Sequence, residues 1–346
     1  MQSARIAING FGRIGRAFLK VALKRSELSV VAINDLGDIN NFAYLLKYDS
    51  AYGHAGFDVS VKDQETLVVD GREIRYISER DPYNLPWREF KIDIVVESSG
   101  LFTSYEKARA HMDAGARRVV ISAPAKDEPP EGLAGATVLM GVNDEQLSTC
   151  LISSNASCTT NAASPLIAIL HDKIGIEKAV LNTVHGYTAS QSLVDGLSKK
   201  DFREGRAAAH NIVPSSTGAA IAVTKAFPAL VGKFDGISLR VPVLTGSMVD
   251  VTFVASHSTS VVEVNRILTA AAQDPRWKDI FSVTNEPLVS SDIVGMHYAS
   301  LADLSFTRVV SGNLVKVMAW YDNEMGYTYT LVEHVVTVAK YLVDSR

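Results

Sequence analysis

Apolar residues recur along the first half of the chain in two alternating periods. Residues 5–9 (RIAIN) read as a buried strand, and a glycine turn follows. From about residue 13 to residue 24, Ile14, Phe18, Val21 and Ala22 fall on one face of a helix. Residues 30–33 (VVAI) supply a second strand, completing a βαβ unit of about thirty residues. Further apolar runs at 92–96, 118–121, 138–141 and 151–153 alternate with helical patterns, 105–114 among them, which predicts an α/β sheet region.

The pattern changes in the second half. Longer strand-like runs occupy 178–184, 236–241, 248–255 and 314–320, with a helix predicted at 261–272. Strands and helices segregate here, the mark of an α+β domain with a mostly antiparallel sheet. Residues 327–342 carry Leu331, Val335, Val338 and Leu342 at amphipathic spacing, a helix expected to pack back on the first domain. The pattern switch puts the boundary near Ser157, giving domains 1–157, joined by a helix over 326–346, and 158–325.

Composition narrows the function. Of 346 residues 47% are hydrophobic and 21% charged, a globular balance long enough for two cores. The 34 Lys and Arg nearly offset the 38 Asp and Glu, leaving a net charge of -4, which argues against a primary nucleic-acid role. No apolar run approaches the roughly twenty residues of a membrane span, and Arg13, Arg16 and Lys20 break the opening segment, so no secretory signal is read and a cytoplasmic address is expected. Cys150 and Cys158 make no disulfide framework, and no metal site is read.

Two constellations carry chemistry. In Gly10-Phe11-Gly12-Arg13-Ile14-Gly15, between strand and helix, Gly10 suits a tight turn, Gly12 lets a pyrophosphate approach, and Gly15 allows close helix packing. The helix N-terminus offers free N–H groups to phosphate. Asp35 ends the second strand twenty residues after Gly15, the spacing at which a carboxylate reaches ribose hydroxyls, and its charge repels a 2′-phosphate. NAD is therefore favoured, with NADP use not excluded.

Cys158 lies between an apolar strand and a helical segment, where the helix dipole favours a thiolate. Ser157, Thr159 and Thr160 add hydroxyls suited to capping or to holding an anion. His185, at the end of the run 179–184, is a candidate base, although seven other histidines compete with it. Cys150, in an ordinary apolar stretch, reads as a buried inert thiol.

Together with the glycine turn, the segments 154–161 (SNASCTTN), 183–188 (TVHGYT), 211–220 (NIVPSSTGAA), Arg240-Val241-Pro242 and 320–324 (WYDNE) resemble the phosphorylating glyceraldehyde-3-phosphate dehydrogenases, in that family's order and across nearly the whole chain. The resemblance implies a Rossmann-type dinucleotide-binding domain plus an α+β catalytic domain, with glyceraldehyde 3-phosphate, inorganic phosphate and NAD as reactants. It implies Cys158 as nucleophile and His185 as its partner. Thr188 and Arg240 would take the substrate phosphate, and Ser157, Thr159, Thr217 and Gly218 the inorganic one, with Arg206 nearby. Arg13 and Ile14 would face the pyrophosphate, Asp35 the adenosine ribose, Arg80 and Ser122 the adenosine and nicotinamide ends, and Asn323 the carboxamide. A homotetramer is implied by the loop 194–214, which resembles the family's inter-subunit loop.

Some positions depart from the family pattern. Val243 to Ser247 (VLTGS) replaces the usual sequence after Arg-Val-Pro, Leu36 and Leu197 stand where proline is common, and Ala162 replaces a frequent second cysteine, which predicts little intramolecular disulfide formation at Cys158. Two alternative functions follow from the same residues. One is erythrose-4-phosphate dehydrogenase, and the other is a binding protein switched by oxidation of Cys158.

Overall fold

The computed structural model describes residues 3–198 and 201–343. Residues 199 and 200 of the loop 194–214, and 344–346 of the helix expected at 326–346, lie outside the described residues. The chain divides into two compact units.

The first unit comprises the chain up to Val138, Asn143–Ala156 and the chain from Leu331 on. Its strands are β1 (Ala4–Asn9), β2 (Leu28–Asn34), a two-residue pair β3 (Tyr48–Asp49) and β4 (Gly53–His54), β5 (Val59–Asp63), β6 (Thr66–Val69), β7 (Arg72–Ile77), β8 (Ile94–Glu97), β9 (Arg118–Ile121), β10 (Gly135–Thr137) and β11 (Ile152–Ser154). All but β3 and β4 form one sheet in the order β10-β11-β9-β8-β1-β2-β7-β6-β5. Neighbours run parallel from β10 to β7, and β7-β6-β5 is antiparallel. Ile6, Ala7 and Ile8 of β1 are wholly buried, as a parallel strand covered on both faces requires. With β2 on one side and β8 on the other, the strand order reverses at β1, and ligands of open α/β sheets bind at such a switch point. Helices α1 (Arg13–Ala22), α2 (Ile39–Lys47) and α3 (Tyr105–Asp113) complete the connections, α2 and α3 capped by Asp38 and Ser104. Trp87, Val95, Tyr105, Val119 and Ile152 form part of one core cluster.

One predicted strand is corrected. The run 138–141 is not extended ladder: β10 ends at Thr137, Val138 keeps a single bond from its N–H to the Ser154 carbonyl oxygen, and Leu139 and Met140 are buried outside the strand until Gly141, at φ +76°, turns the chain. The apolar run reports burial, and burial alone does not distinguish strand from coil.

The second unit comprises Leu139–Val142 and Ser157–Thr330. It contains β12 (Ile176–Gly186), β13 (Val213–Ser216), β14 (Phe234–Val241), β15 (Ser247–Ala255), β16 (Phe281–Thr284), β17 (Ser300–Asp303), β18 (Arg308–Val310) and β19 (Leu314–Tyr321). The sheet order is β13-β14-β12-β15-β19-β17-β16, with β18 also on β19. Most pairs are antiparallel; β12-β14 and β16-β17 are parallel. Strand β15 alternates strictly, Val249, Val251, Phe253 and Ala255 facing inward. Helix α4 (Cys158–Ile174) is buried almost all round, as a helix apolar on every face must be. It is accompanied by α5 (Ala219–Ala226) and α6 (Val261–Ala271). The last helix, α7 (Met325–Val343), begins in this unit, and from Leu331 its residues belong to the first.

Candidate active site and dinucleotide turn

The glycine turn of the first unit fits a dinucleotide by its space as well as its spacing. Gly10 has φ +94°, and a Cβ there would lie 2.3 Å from the Ser99 nitrogen; a Cβ on Gly15 would lie 2.2 Å from the Gly10 carbonyl oxygen. A Cβ on Gly12 would meet nothing within 4 Å, so the chain leaves room beside the N-terminus of α1 for a pyrophosphate. Asp35 holds this turn itself: its carboxylate accepts the Phe11 N–H at 2.7 Å and the Gly37 N–H at 3.1 Å. Arg13, the first residue of α1, pairs with Asp49 at 2.9 Å and covers the Tyr52 ring, while Ile14 is half-buried beside it. Ser122 follows β9, its N–H on the Glu97 carbonyl oxygen, and Arg80 is exposed in a segment tied to Asn34 through Glu79.

Beneath the turn lies a polar network that spacing gave no sign of. Buried Glu97 accepts from Asn9 Nδ2 at 2.5 Å, from the Ser99 N–H at 2.8 Å and from the Ser99 hydroxyl, and lies 3.0 Å from His111 Nε2. Trp87 Nε1–H donates to His111 Nδ1, which places the imidazole proton on Nε2, facing Glu97. The carboxylate is thus surrounded by donors, as burial of a charge demands.

In the second unit, Cys158 is the first residue of α4. Ser157 caps the helix, its hydroxyl accepting the Thr160 N–H at 3.0 Å, and Ala156 just before it is held at φ +55°, a costly conformation for alanine that aims the entering chain. Cys158 Sγ lies 3.4 Å from Nε2 of His185 on β12. His185 Nδ1 is 2.6 Å from the Gly186 carbonyl oxygen and 2.6 Å from Nη1 of Arg240, which the parallel register of β14 sets opposite His185. Burial, and then the Arg240 charge, push the imidazole down to about 4. Burial pushes the Cys158 thiol up, outweighing Arg240 and the helix-terminal N–H groups that pull it down. Burial thus opposes the thiolate that the helix terminus and Arg240 favour. Tyr321 backs the pair, its hydroxyl 2.9 Å from Thr159 and 2.8 Å from Thr183, its ring edge-on to His185.

The structure thus brings Cys158, His185 and Arg240 together. Thr159 is buried with its hydroxyl on Tyr321 and its backbone N–H toward the Cys158 sulfur. The Thr188 hydroxyl bonds Ser190, and Thr217 is half-buried before exposed Gly218, its hydroxyl taking the Ala219 N–H. Arg206 instead pairs with Asp195 at an exposed position. Asn323 precedes α7, with Oδ1 2.7 Å from the Ser247 hydroxyl. Sequence reasoning passed over Ser247 and Tyr321; the one available signal is a polar group on the inward register of β15 and β19.

A dinucleotide fold in one unit and a cysteine paired with a neutral imidazole in the other define an oxidoreductase that works through a covalent thiol intermediate. Two family models match the chain: the glyceraldehyde 3-phosphate dehydrogenase NAD binding domain over residues 4–105, and the C-terminal domain of the same family over 157–323. The chain belongs to the glyceraldehyde-3-phosphate dehydrogenase family. It is 46% identical to glyceraldehyde-3-phosphate dehydrogenase of Mycobacterium leprae, covering 98% of this chain and 100% of the relative. The Geobacillus stearothermophilus enzyme is 45% identical (97% and 98% covered), and Saccharomyces cerevisiae glyceraldehyde-3-phosphate dehydrogenase 3 is 44% identical (97% and 99%).

Proposed function

We propose that the chain catalyses the phosphorylating oxidation of D-glyceraldehyde 3-phosphate to 1,3-bisphosphoglycerate. The observation that carries this reading is Cys158 Sγ at 3.4 Å from an imidazole that burial keeps neutral. In the tautomer whose Nδ1 proton is on the Gly186 carbonyl, which requires Arg240 Nη1 to turn from Nδ1 to that carbonyl or to substrate, the Nε2 lone pair of His185 faces the thiol and takes its proton as sulfur attacks the aldehyde carbon. The resulting hemithioacetal oxygen is met by the Cys158 N–H and the imidazolium. A dinucleotide held by the Gly10–Gly15 turn and Asp35 would supply the acceptor for the hydride on this carbon. The thioester left on Cys158 is open to inorganic phosphate: its oxygen attacks the carbonyl carbon, the C–S bond breaks, and the sulfur recovers its proton from His185. A serine ester would be far less reactive.

Arg240, half-buried beside His185, supplies the charged fork for the substrate phosphate, with Thr188; Ser157, Thr159, Thr217 and Gly218 serve the inorganic phosphate, and Arg206 joins them by leaving Asp195. On the cofactor side, Gly12 leaves room for the pyrophosphate near Arg13 and Ile14, Asp35 selects NAD over NADP, Arg80 and Ser122 take the adenosine and nicotinamide ends, and Asn323 takes the carboxamide. A cytoplasmic homotetramer completes the reading. No described helix is long and apolar enough to cross a membrane.

Reduced nicotinamide followed by absorbance tests the proposal. Glyceraldehyde 3-phosphate should reduce NAD over many turnovers only with phosphate present, and Cys158→Ser should lower the rate by on the order of 10³-fold or more. Turnover indifferent to phosphate, or a higher kcat/KM for erythrose 4-phosphate, would overturn it.

A further inference from the structure

The turn that leads into α7 is tied to the strand of the base by the hydroxyl group of Ser247. Asp322 organises it: Oδ1 accepts the Glu324 and Met325 N–H groups, each at 2.9 Å, and the Thr245 hydroxyl at 2.7 Å, while Oδ2 accepts the Gly295 N–H. Ser247, 1% exposed, accepts the Gly186 N–H at 3.0 Å and donates to Asn323 Oδ1 at 2.7 Å. Gly246 between Thr245 and Ser247 has φ +93°, and a Cβ there would lie 2.2 Å from the Ser290 carbonyl oxygen, so the backbone that presents both hydroxyls admits no side chain. Asn323, 7% exposed, has its Oδ1 end engaged, and its Nδ2 protons have no partner among the described residues.

Each donor in this chain fixes the next. Because the Gly186 N–H already occupies the Ser247 oxygen, the serine proton must go outward, and it finds Asn323 Oδ1. Turning the amide over would put N–H groups against that proton and leave a buried hydroxyl without an acceptor. Gly186 also takes His185 Nδ1 on its carbonyl, so one residue serves both the base and the amide.

We propose that Ser247 is a positioning residue: the relay Gly186 N–H to Ser247 Oγ–H to Asn323 Oδ1 fixes which end of the Asn323 amide meets the carboxamide of a bound nicotinamide. The relay selects the orientation of the ring without touching it. This rests on the assignment of Asn323 to the carboxamide made above.

Calorimetric titration with NAD and with ADP-ribose, which lacks the nicotinamide, tests both steps. In Ser247→Ala, NAD should bind about tenfold more weakly while ADP-ribose binds within about twofold of the parent, the loss of one buried hydrogen bond acting on the nicotinamide end alone. Asn323→Ala should show the same selective loss. If Asn323→Ala is selective and Ser247→Ala weakens both ligands alike or neither, the relay is overturned and the Asn323 assignment stands. If Asn323→Ala leaves NAD binding unchanged, the assignment falls and the relay with it.

Discussion

The imidazoles of His334 and His185 are both buried. His334 donates from Nδ1 to Asn155 Oδ1 at 3.1 Å and accepts the Ser153 hydroxyl at Nε2 at 2.7 Å, so the neutral ring is fully satisfied, and burial pushes it down to about 3. His185 is pushed down to about 4. Both folded values lie below the ordinary value of about 6.5, so as pH falls through that value the unfolded chain takes up protons that the folded chain refuses. The stabilising contribution is complete above about pH 6.5 and is lost progressively toward pH 3 to 4, each histidine adding a slope of up to about 1.4 kcal/mol per pH unit. Urea unfolding at pH 7.5, 6 and 5 should show this loss, and His334→Asn, though less stable at pH 7.5, should lose less on acidification; an unchanged slope would refute the assignment. Cys158 and Asp35 stand out in the sequence, because a nucleophile before a helix and an acid after a strand are matters of spacing, whereas His185 is one of eight histidines and its approach to Cys158 is a matter of the fold. That Asp35 also grips the Phe11 N–H, and that burial at Cys158 opposes the helix dipole, depend on how far the chain closes over each group, which spacing does not contain.

Among the elements, β1, α1, β2, β15 and α7 announce themselves by period. The parallel pairing of β12 with β14, which sets Arg240 opposite His185, does not, since the two strands are separated by a long excursion through β13 and α5. The run 138–141 misleads for the opposite reason, being buried without a ladder. The glycine turn is the element on which cofactor binding depends most directly. In Gly15→Ala the new methyl would fall 2.2 Å from the Gly10 carbonyl oxygen, and the backbone must move. NAD and ADP-ribose should both bind at least about tenfold more weakly, because both lose the phosphate cradle. Buried Cys150 should stay resistant to iodoacetamide in the variant as in the parent, and its alkylation would show instead that the substitution unfolds the chain.

At the scale of the molecule, apolar side chains remain on the outer face of the second sheet: Val180 of β12 is 59% exposed, Ile237 of β14 57%, and Leu314 of β19 and Ile221 of α5 are exposed as well. In the loop 194–214, Val194, Phe202 and Ile212 are exposed too. Patches of this kind mark association surfaces, and they support the tetramer proposed above. Light scattering should give four times the chain mass, and Val180→Asp with Ile237→Asp should lower it; an unaltered parent-like mass in the double variant would exclude this face as an interface. Helix α7 carries a different consequence. Leu331, Val332, Val335 and Val336 are buried in the first unit, where Glu333 pairs with Arg25 and His334 anchors Ser153 and Asn155. A ribosome makes these residues only after the whole of the second unit, so the unit begun first cannot complete its core until the unit encoded inside it has been made. Order of synthesis and order of completion run in opposite directions, and the nascent first unit keeps an open flank until the segment from Leu331 follows the second unit out.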